Sequence, residues 1–158
     1  MQVSEPTIKE IPEMRVISKR ELGRYDETIG KLIGEIFQFI EVSNSARNNI
    51  KMTGPCIFIC HDEEYKEDDA DIEVVFPVSG NISIDDPSIN LKTLPAVKVV
   101  SAIYKGPYQE VDIAFTKLFE YMGKNGMELA GPSRELFLND PDEVPEDELL
   151  SEVQLPIK

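Results

Sequence analysis

Short apolar runs separated by turn residues predict strands and one helix in the first half of the chain. Residues 14–21 alternate weakly between apolar and polar positions, which indicates a strand. A stripe at helical spacing follows and predicts a helix that Asp26 or Thr28 can cap. Residues 56–60 and 72–78 are apolar runs of strand length. The first half therefore predicts the order βαββ.

The second half predicts the same order with clearer signals. Val97–Tyr104 is rich in β-branched residues and predicts a strand. Gln109–Gly123 has the apolar spacing of a helix and is followed by residues that end helices. Residues 134–138 and 152–157 predict two further strands. Each half is thus a three-stranded unit with one helix.

Both halves carry a glycine and a tyrosine after their first strand. Gly106 corresponds to Gly23 and Tyr108 to Tyr25, each at an offset of 83 (106 − 23 and 108 − 25). Self-similarity at a fixed offset is typical of a duplicated unit. Chance similarity between two α+β segments is the alternative interpretation. We expect a duplication.

These patterns predict an α+β fold of duplicated βαββ units with pseudo-two-fold symmetry. An antiparallel sheet would carry one long helix per repeat, with a central ligand groove where the halves meet. We expect a single domain over residues 14–158. Its predicted parts are an N-terminal lead-in over 1–13 that can join a sheet edge, a first repeat over 14–79, a linker over 80–96 with short extended pieces around Ile82–Ile84, and a second repeat over 97–158.

Charge and hydropathy narrow the classes of function. The net charge is −14 and the pI about 4.4, so the chain repels nucleic acid and anionic membranes and favours cationic small molecules. The hydrophobic fraction of 41% is sufficient for a packed core. No apolar run reaches the roughly 18 residues that cross a bilayer, and no secretory signal is visible. We expect a cytoplasmic protein without membrane or direct nucleic-acid binding.

The cysteines and the acidic connection between two strands raise the question of metals. Cys56 and Cys60 lie beside His61, the single histidine of the chain, which leaves too few soft ligands for zinc. The acidic stretch His61–Asp71 lacks the glycine and final glutamate of an EF-hand loop. Buried thiols and a solvated hairpin loop are the favoured interpretations. No metal and no cofactor are predicted.

Two acids stand at equivalent positions in strands that are otherwise apolar. Glu73 lies in DIEVVFPV and Glu152 in SEVQLPI. Alternation places Val153 and Leu155 under the helices and Glu152 on the opposite face. Each acid is then either an ordinary exposed strand residue or a carboxylate at the floor of an apolar pocket.

Aromatic residues near the strand ends suggest a partner for such a carboxylate. Tyr25, Tyr104 and Tyr108 cluster at equivalent strand ends, and Glu135 and Phe137 share one side of their strand. A carboxylate with aromatic walls can hold an organic cation. Half-buried turn packing is the alternative for the tyrosines.

The segments IYKGPYQEV and GPSRELFLNDPDEVPEDELLSEVQLPI, together with the repeated βαββ plan, resemble the GyrI-like small-molecule-binding domain. The same domain is the effector-binding half of some AraC-type and MerR-type multidrug regulators. The resemblance extends from about Met14 to Lys158. The first half departs more, because Gly23-Arg24 replaces the Gly-Pro turn of the second half.

The resemblance implies a set of binding residues. The family's buried acid matches Glu152, its first-half counterpart falls on Glu73, and Glu135, Tyr104 and Tyr108 fall where members line the groove. Members bind bulky, aromatic, often cationic compounds. Some stand-alone members hydrolyse cyclopropane-containing alkylating compounds with a glutamate and an aromatic partner. No helix-turn-helix segment precedes Met14, so the chain is not expected to be a one-component regulator itself.

Three functions follow as hypotheses. The leading one is a stand-alone binding module for bulky hydrophobic, preferably cationic small molecules, in which Glu152 neutralises the ligand while Tyr104, Tyr108 and apolar strand residues desolvate it. The second is a hydrolase of cyclopropanoid toxins with Glu152 as general base and a tyrosine, Tyr104, assisting the leaving group. The third is an acidic, gyrase-inhibitor-like protein-interaction module. A homodimer or a separate regulator are the partner hypotheses.

Overall fold

Antiparallel strands and two long helices make up the fold of this α+β protein. The computed structural model describes residues 2–46, 48–62 and 66–158. In that part of the chain the elements are, in order, β1 (Thr7–Ile11), β2 (Met14–Gly23), α1 (Tyr25–Ala46), β3 (Lys51–Met52), β4 (Ile57–Cys60), β5 (Ala70–Ser79), β6 (Asn90–Leu94), β7 (Val97–Lys105), α2 (Asp112–Lys124), β8 (Ser133–Phe137) and β9 (Leu150–Pro156).

The chain divides into two compact units. One, called here the 13–95 unit, is Glu13–Pro95; the other, the 96–158 unit, is Ala96–Lys158 together with Met1–Pro12. The predicted acidic connection between β4 and β5 includes Glu63, Glu64 and Tyr65, which lie outside the described residues. No described helix is long and apolar enough to span a membrane.

In the 13–95 unit, the strand order is β6-β2-β5-β4, with the two residues of β3 paired to the end of β5. The apolar stripe of α1 packs on one face of this sheet, where Leu32 and Ile36 meet Ile17 and Val74. The helical spacing therefore predicted most of the buried face of the helix, although Phe37, which belongs to the predicted stripe, is 40% exposed. The predicted start was late, because α1 already begins at Tyr25 and the two candidate caps lie in its first turn.

In the 96–158 unit, the strand order is β1-β7-β9-β8. The lead-in joins a sheet edge, as predicted, because β1 pairs with β7 along its whole length. Leu118 and Met122 of α2 pack against Val153 and Leu155 of β9. The helix begins later than predicted, since residues Tyr108–Glu110 form a separate 3₁₀ turn.

The linker contains a strand at a different place from the predicted one. The extended pieces expected around Ile82–Ile84 do not form, and β6 instead follows a turn in which Ile89 N–H donates to Asp86 C=O over 3.1 Å. The carboxylate of Asp86 accepts hydrogen bonds from Ser88, which stabilises that turn. The local turn chemistry therefore shifts the strand toward the end of the linker.

Candidate functional site

The register of β9 places Glu152 on the sheet face away from α2. Glu152 is paired with Ile103 of β7 and with Leu136 of β8. Directly paired residues lie on the same face of a sheet, so Ile103 and Leu136 flank Glu152 on its two sides. Val153 and Leu155 point the other way and pack with α2, as the alternation predicts. We call the face that carries Glu152, Ile103 and Leu136 the Glu152 face.

The carboxylate of Glu152 is held by three donors through one of its oxygens. Oε2 accepts hydrogen bonds from Lys9 Nζ at 3.1 Å, Ser101 Oγ at 2.8 Å and Gln154 Nε2 at 2.8 Å. Oε1 has no hydrogen bond to any described residue. Glu152 as a whole is 9% exposed. The arrangement is a buried carboxylate in which the described residues donate to one oxygen only.

These donors keep Glu152 ionised although it is buried. Burial by itself raises the pKa of a carboxyl group, because it disfavours the charged form. The hydrogen bonds from Gln154, Ser101 and Lys9 outweigh that effect and hold the pKa of Glu152 below its usual value. Glu152 is therefore an anion at neutral pH.

Glu73 has a similar environment in the 13–95 unit, but both of its oxygens are engaged. Oε2 accepts hydrogen bonds from Ser18 and from Lys92, and Oε1 lies 2.7 Å from His61 Nε2. Glu73 is 2% exposed. Burial raises its pKa, but the bonds from Lys92, Ser18 and His61 together lower it below the usual value. This acid is fully paired.

The two acids thus share a set of partners that the sequence interpretation missed. Ser18 and Ser101 lie in the first long strand of each unit and are separated by 83 positions, the offset already seen for the glycine and tyrosine. That offset was a signal that could have identified them. Lys9 and Lys92 lie in edge strands outside the βαββ segments and are also separated by 83 positions (92 − 9), but the offset does not indicate which acid each of them meets.

Glu135 and Tyr104 do not lie with Glu152. Glu135 is paired with Val153, and Tyr104 with Ser151, so all four side chains are on the face that packs against α2. The Tyr104 hydroxyl donates to Pro107 C=O over 2.7 Å. The predicted pair of Glu152 and Tyr104 is therefore not formed, because alternation along paired strands places them on opposite faces.

The carboxyl group of Glu135 lies in an apolar environment. Burial raises its pKa to about 7, and the negative charge of Asp112 at the start of α2 acts in the same direction. The nearby Ser151 hydroxyl partly offsets the shift, although its Oγ is buried and reaches no hydrogen-bond geometry with a described residue. Glu135 is thus partly protonated near neutral pH.

The remaining aromatic candidates also lie on the helix-packed faces. Tyr108 and Phe137 make an edge-to-face contact with ring centroids 5.4 Å apart, and Phe137 is paired with Ser151. Tyr25 makes a similar contact with Phe58 at 6.0 Å, in the cluster around α1. The structure does not bring these rings together with Glu152 or Glu73 on one face. Tyr25 and Tyr108 are half-buried, which agrees with half-buried turn packing, the alternative interpretation of the tyrosines.

The cysteines are free thiols. Burial raises the pKa of Cys56 to about 12, so this thiol is neutral. His61 contacts Glu73 rather than a cysteine. Within residues 2–46, 48–62 and 66–158, no group of three His, Cys, Asp or Glu side chains is arranged to hold a metal ion.

Both the sequence and the fold of this chain are similar to those of known proteins. The sequence model of the GyrI-like small molecule binding domain matches residues 4–158. The crystal structure of the EcmrR C-terminal domain is 30% identical, covers 100% of this chain and 99% of its own, and superposes with a TM-score of 0.87. EcmrR in a complex with DNA is 29% identical with the same TM-score, and this chain spans 58% of the length of that protein.

A more distant similarity shows the fold alone. The crystal structure of a hydrolase encoded by lin2189 from Listeria innocua is 13% identical, with coverage of 98% of this chain and 92% of that one and a TM-score of 0.74. Among functionally curated proteins, no sequence matches this chain.

Proposed function

Since the chain belongs to the GyrI-like small-molecule-binding domain family, we propose that it binds bulky, hydrophobic and preferably cationic small molecules at the Glu152 face. One observation carries the proposal: Glu152 is buried and ionised, and its Oε1 accepts no hydrogen bond from a described residue. A carboxylate shielded from water attracts a cation more strongly than one in bulk solvent. A ligand ammonium or phosphonium group would approach that oxygen.

The apolar part of the ligand would be desolvated by aliphatic side chains. Ile103 and Leu136 flank Glu152 on the neighbouring strands and are both half-buried. Removal of apolar surface from water contributes about 25 cal/mol per Å². We therefore propose Ile103 and Leu136 as the apolar strand residues that desolvate the ligand, without the predicted Tyr104 and Tyr108.

We also propose that the two units arose by duplication. The order β2-β5-β4 in one unit has the same antiparallel pairing as β7-β9-β8 in the other. The equivalent strands carry Ser18 and Ser101, and Glu73 and Glu152. In each unit a lysine from an added edge strand reaches the acid.

The hydrolase hypothesis finds no support in the geometry. It needs Glu152 and Tyr104 on either side of one substrate, and the register places these side chains on opposite faces. The 13% identical hydrolase shares the fold only. Binding without chemistry is the function that we propose.

Glu152→Gln is expected to weaken binding of tetraphenylphosphonium by about 10- to 100-fold, or ~1.4–2.7 kcal/mol. The substitution removes the negative charge but keeps the shape of the side chain. Binding of triphenylphosphine oxide, a neutral molecule of similar bulk, should change by less than about threefold, because it needs no counter-charge. Isothermal titration calorimetry with both compounds measures the two losses.

The matched control is Glu148→Gln, which removes an exposed carboxylate just before β9. It should leave both affinities unchanged, because solvent screens an exposed charge. Equal losses for the cation and the neutral compound in Glu152→Gln would contradict the proposed role of the carboxylate.

A further inference from the structure

Glu152, the proposed partner of a cationic ligand, already has a cationic side chain beside it. Lys9 Nζ lies 3.1 Å from Glu152 Oε2, on the edge strand β1. The Lys9 side chain is 43% exposed, whereas that of Glu152 is 12% exposed. The lysine thus reaches in from solvent and cancels the charge that a cationic ligand would encounter.

We propose that Lys9 is a resident counter-ion that a cationic ligand must displace, so that Lys9 determines the charge specificity of the site. This inference rests on the proposed function. When Lys9 leaves, Ser101 and Gln154 still donate to Oε2, so the carboxylate remains oriented, and the charge of the ligand replaces that of the lysine. The half-exposed lysine can turn its ammonium into water, where the charge is fully solvated. Binding is then an exchange of one cation for another.

The ion pair between Lys9 and Glu152 is not needed to anchor strand β1. Strand β1 is already joined to β7 through all five of its residues, from Thr7 paired with Ser101 to Ile11 paired with Val97. Because the lysine side chain is 43% exposed, water screens its attraction to Glu152, and the ion pair adds little to the anchoring of the strand beside such a ladder. The position of Lys9 therefore has more consequence for what Glu152 can bind than for holding the strand.

The 13–95 unit provides an internal comparison. Lys92 on the edge strand β6 contacts Glu73 and is 41% exposed, much like Lys9. Glu73, however, has His61 on its other oxygen and is 2% exposed, so no oxygen remains for a ligand. Loss of Lys92 would leave Glu73 with Ser18 and His61 on its two oxygens, whereas loss of Lys9 would leave Glu152 Oε1 without a donor among the described residues. Lys92 is accordingly the matched control.

Lys9→Met removes the ammonium and keeps the apolar stem. We expect the Kd for tetraphenylphosphonium to fall by about fivefold. This is the change expected when the ligand no longer competes with one part-exposed charge. The Kd for triphenylphosphine oxide should change by less than about twofold, because a neutral compound does not compete with Lys9. Calorimetric titration gives both constants, and circular dichroism verifies that the variant is folded.

Two control variants separate this effect from a change in net charge. Lys92→Met and Lys98→Met each make the protein one unit more negative, and Lys98 is an exposed residue of β7 on the other face of the sheet. Neither should strengthen tetraphenylphosphonium binding by more than about twofold. In the double variant Lys9→Met/Glu152→Gln, the gain from Lys9→Met should disappear, since the two side chains act on each other.

The outcomes separate the two proposals. If Glu152→Gln weakens cation binding but Lys9→Met leaves it unchanged or weaker, the counter-ion role is overturned and the proposed function stands. An equal gain in Lys98→Met also overturns the counter-ion role, because the effect would then be one of net charge. If Glu152→Gln does not weaken cation binding, the proposed function itself fails.

Discussion

Glu135→Gln is expected to stabilise the protein at pH 8 by about 2–3 kcal/mol and to have no stabilising effect at pH 4. The pKa of Glu135 is raised from 4.5 to about 7, first by burial and then by the charge of Asp112. Between these two values the folded state keeps a proton that the unfolded state has lost. The free energy of unfolding that this group contributes therefore falls as the pH rises through the window, and it is lowest above pH 7.

Glutamine removes the cost of charging the buried group. The difference in unfolding free energy between variant and wild type should therefore grow from about pH 4.5 to about pH 7 and then remain constant. Part of the gain is lost, because the amide is also a buried polar group and the Ser151 hydroxyl beside it lacks a described partner. Urea denaturation at a series of pH values measures the difference.

Glu148→Gln is again the matched control, since the side chain is exposed and its removal should leave stability within about 0.5 kcal/mol at every pH. A stability difference for Glu135→Gln that does not depend on pH would show that the carboxyl group is not charged at a cost in the folded state.

Gly80→Ala is expected to destabilise the protein by about 3 kcal/mol or more. Gly80, just after β5, has a φ of 106°, in the region that favours glycine. A β-carbon there would lie 1.8 Å from the carbonyl oxygen of Asn49. That backbone cannot retreat easily, since Asn49 N–H is bonded to Asn81 C=O and Gly80 C=O accepts from Arg15. Backbone strain and a steric clash therefore add together.

Gly126→Ala separates the cost of backbone strain from the cost of a steric clash. Gly126 follows α2 with a φ of 64°, and a β-carbon there would meet nothing within 4 Å. Only the left-handed backbone conformation is penalised, at about 1–2 kcal/mol. Denaturation in urea measures both losses, and similar costs for the two alanines would mean that the Asn49 carbonyl yields to the new atom.

Hydrophobic spacing predicted most of the fold because it reports directly on burial. The stripe of α1 and the alternation along β9 identified the buried sides of both elements, and Val153 and Leu155 pack under a helix. The antiparallel α+β class followed from the order of these patterns. Helix starts were less predictable, because local turns such as Tyr108–Glu110 decide them.

The candidate site was predicted only in part. The sequence singled out Glu73 and Glu152, since a charged residue in an apolar strand is unusual, and both are buried with partners. It also grouped Glu135 and Tyr104 with Glu152, which the register does not allow. Strand pairing determines the face of Glu135 relative to β9, and a shift of one residue would have reversed it.

By itself, then, the sequence determined the order of the βαββ elements, the buried sides of α1 and β9 and the two acids, because these depend on neighbours along the chain. Only the tertiary structure decided which lysine meets which acid and which acid has an oxygen without a hydrogen bond from the described residues. Lys9 and Lys92 reach the acids from strands far away in the sequence. Such contacts depend on strand order and register, which are properties of the folded chain as a whole.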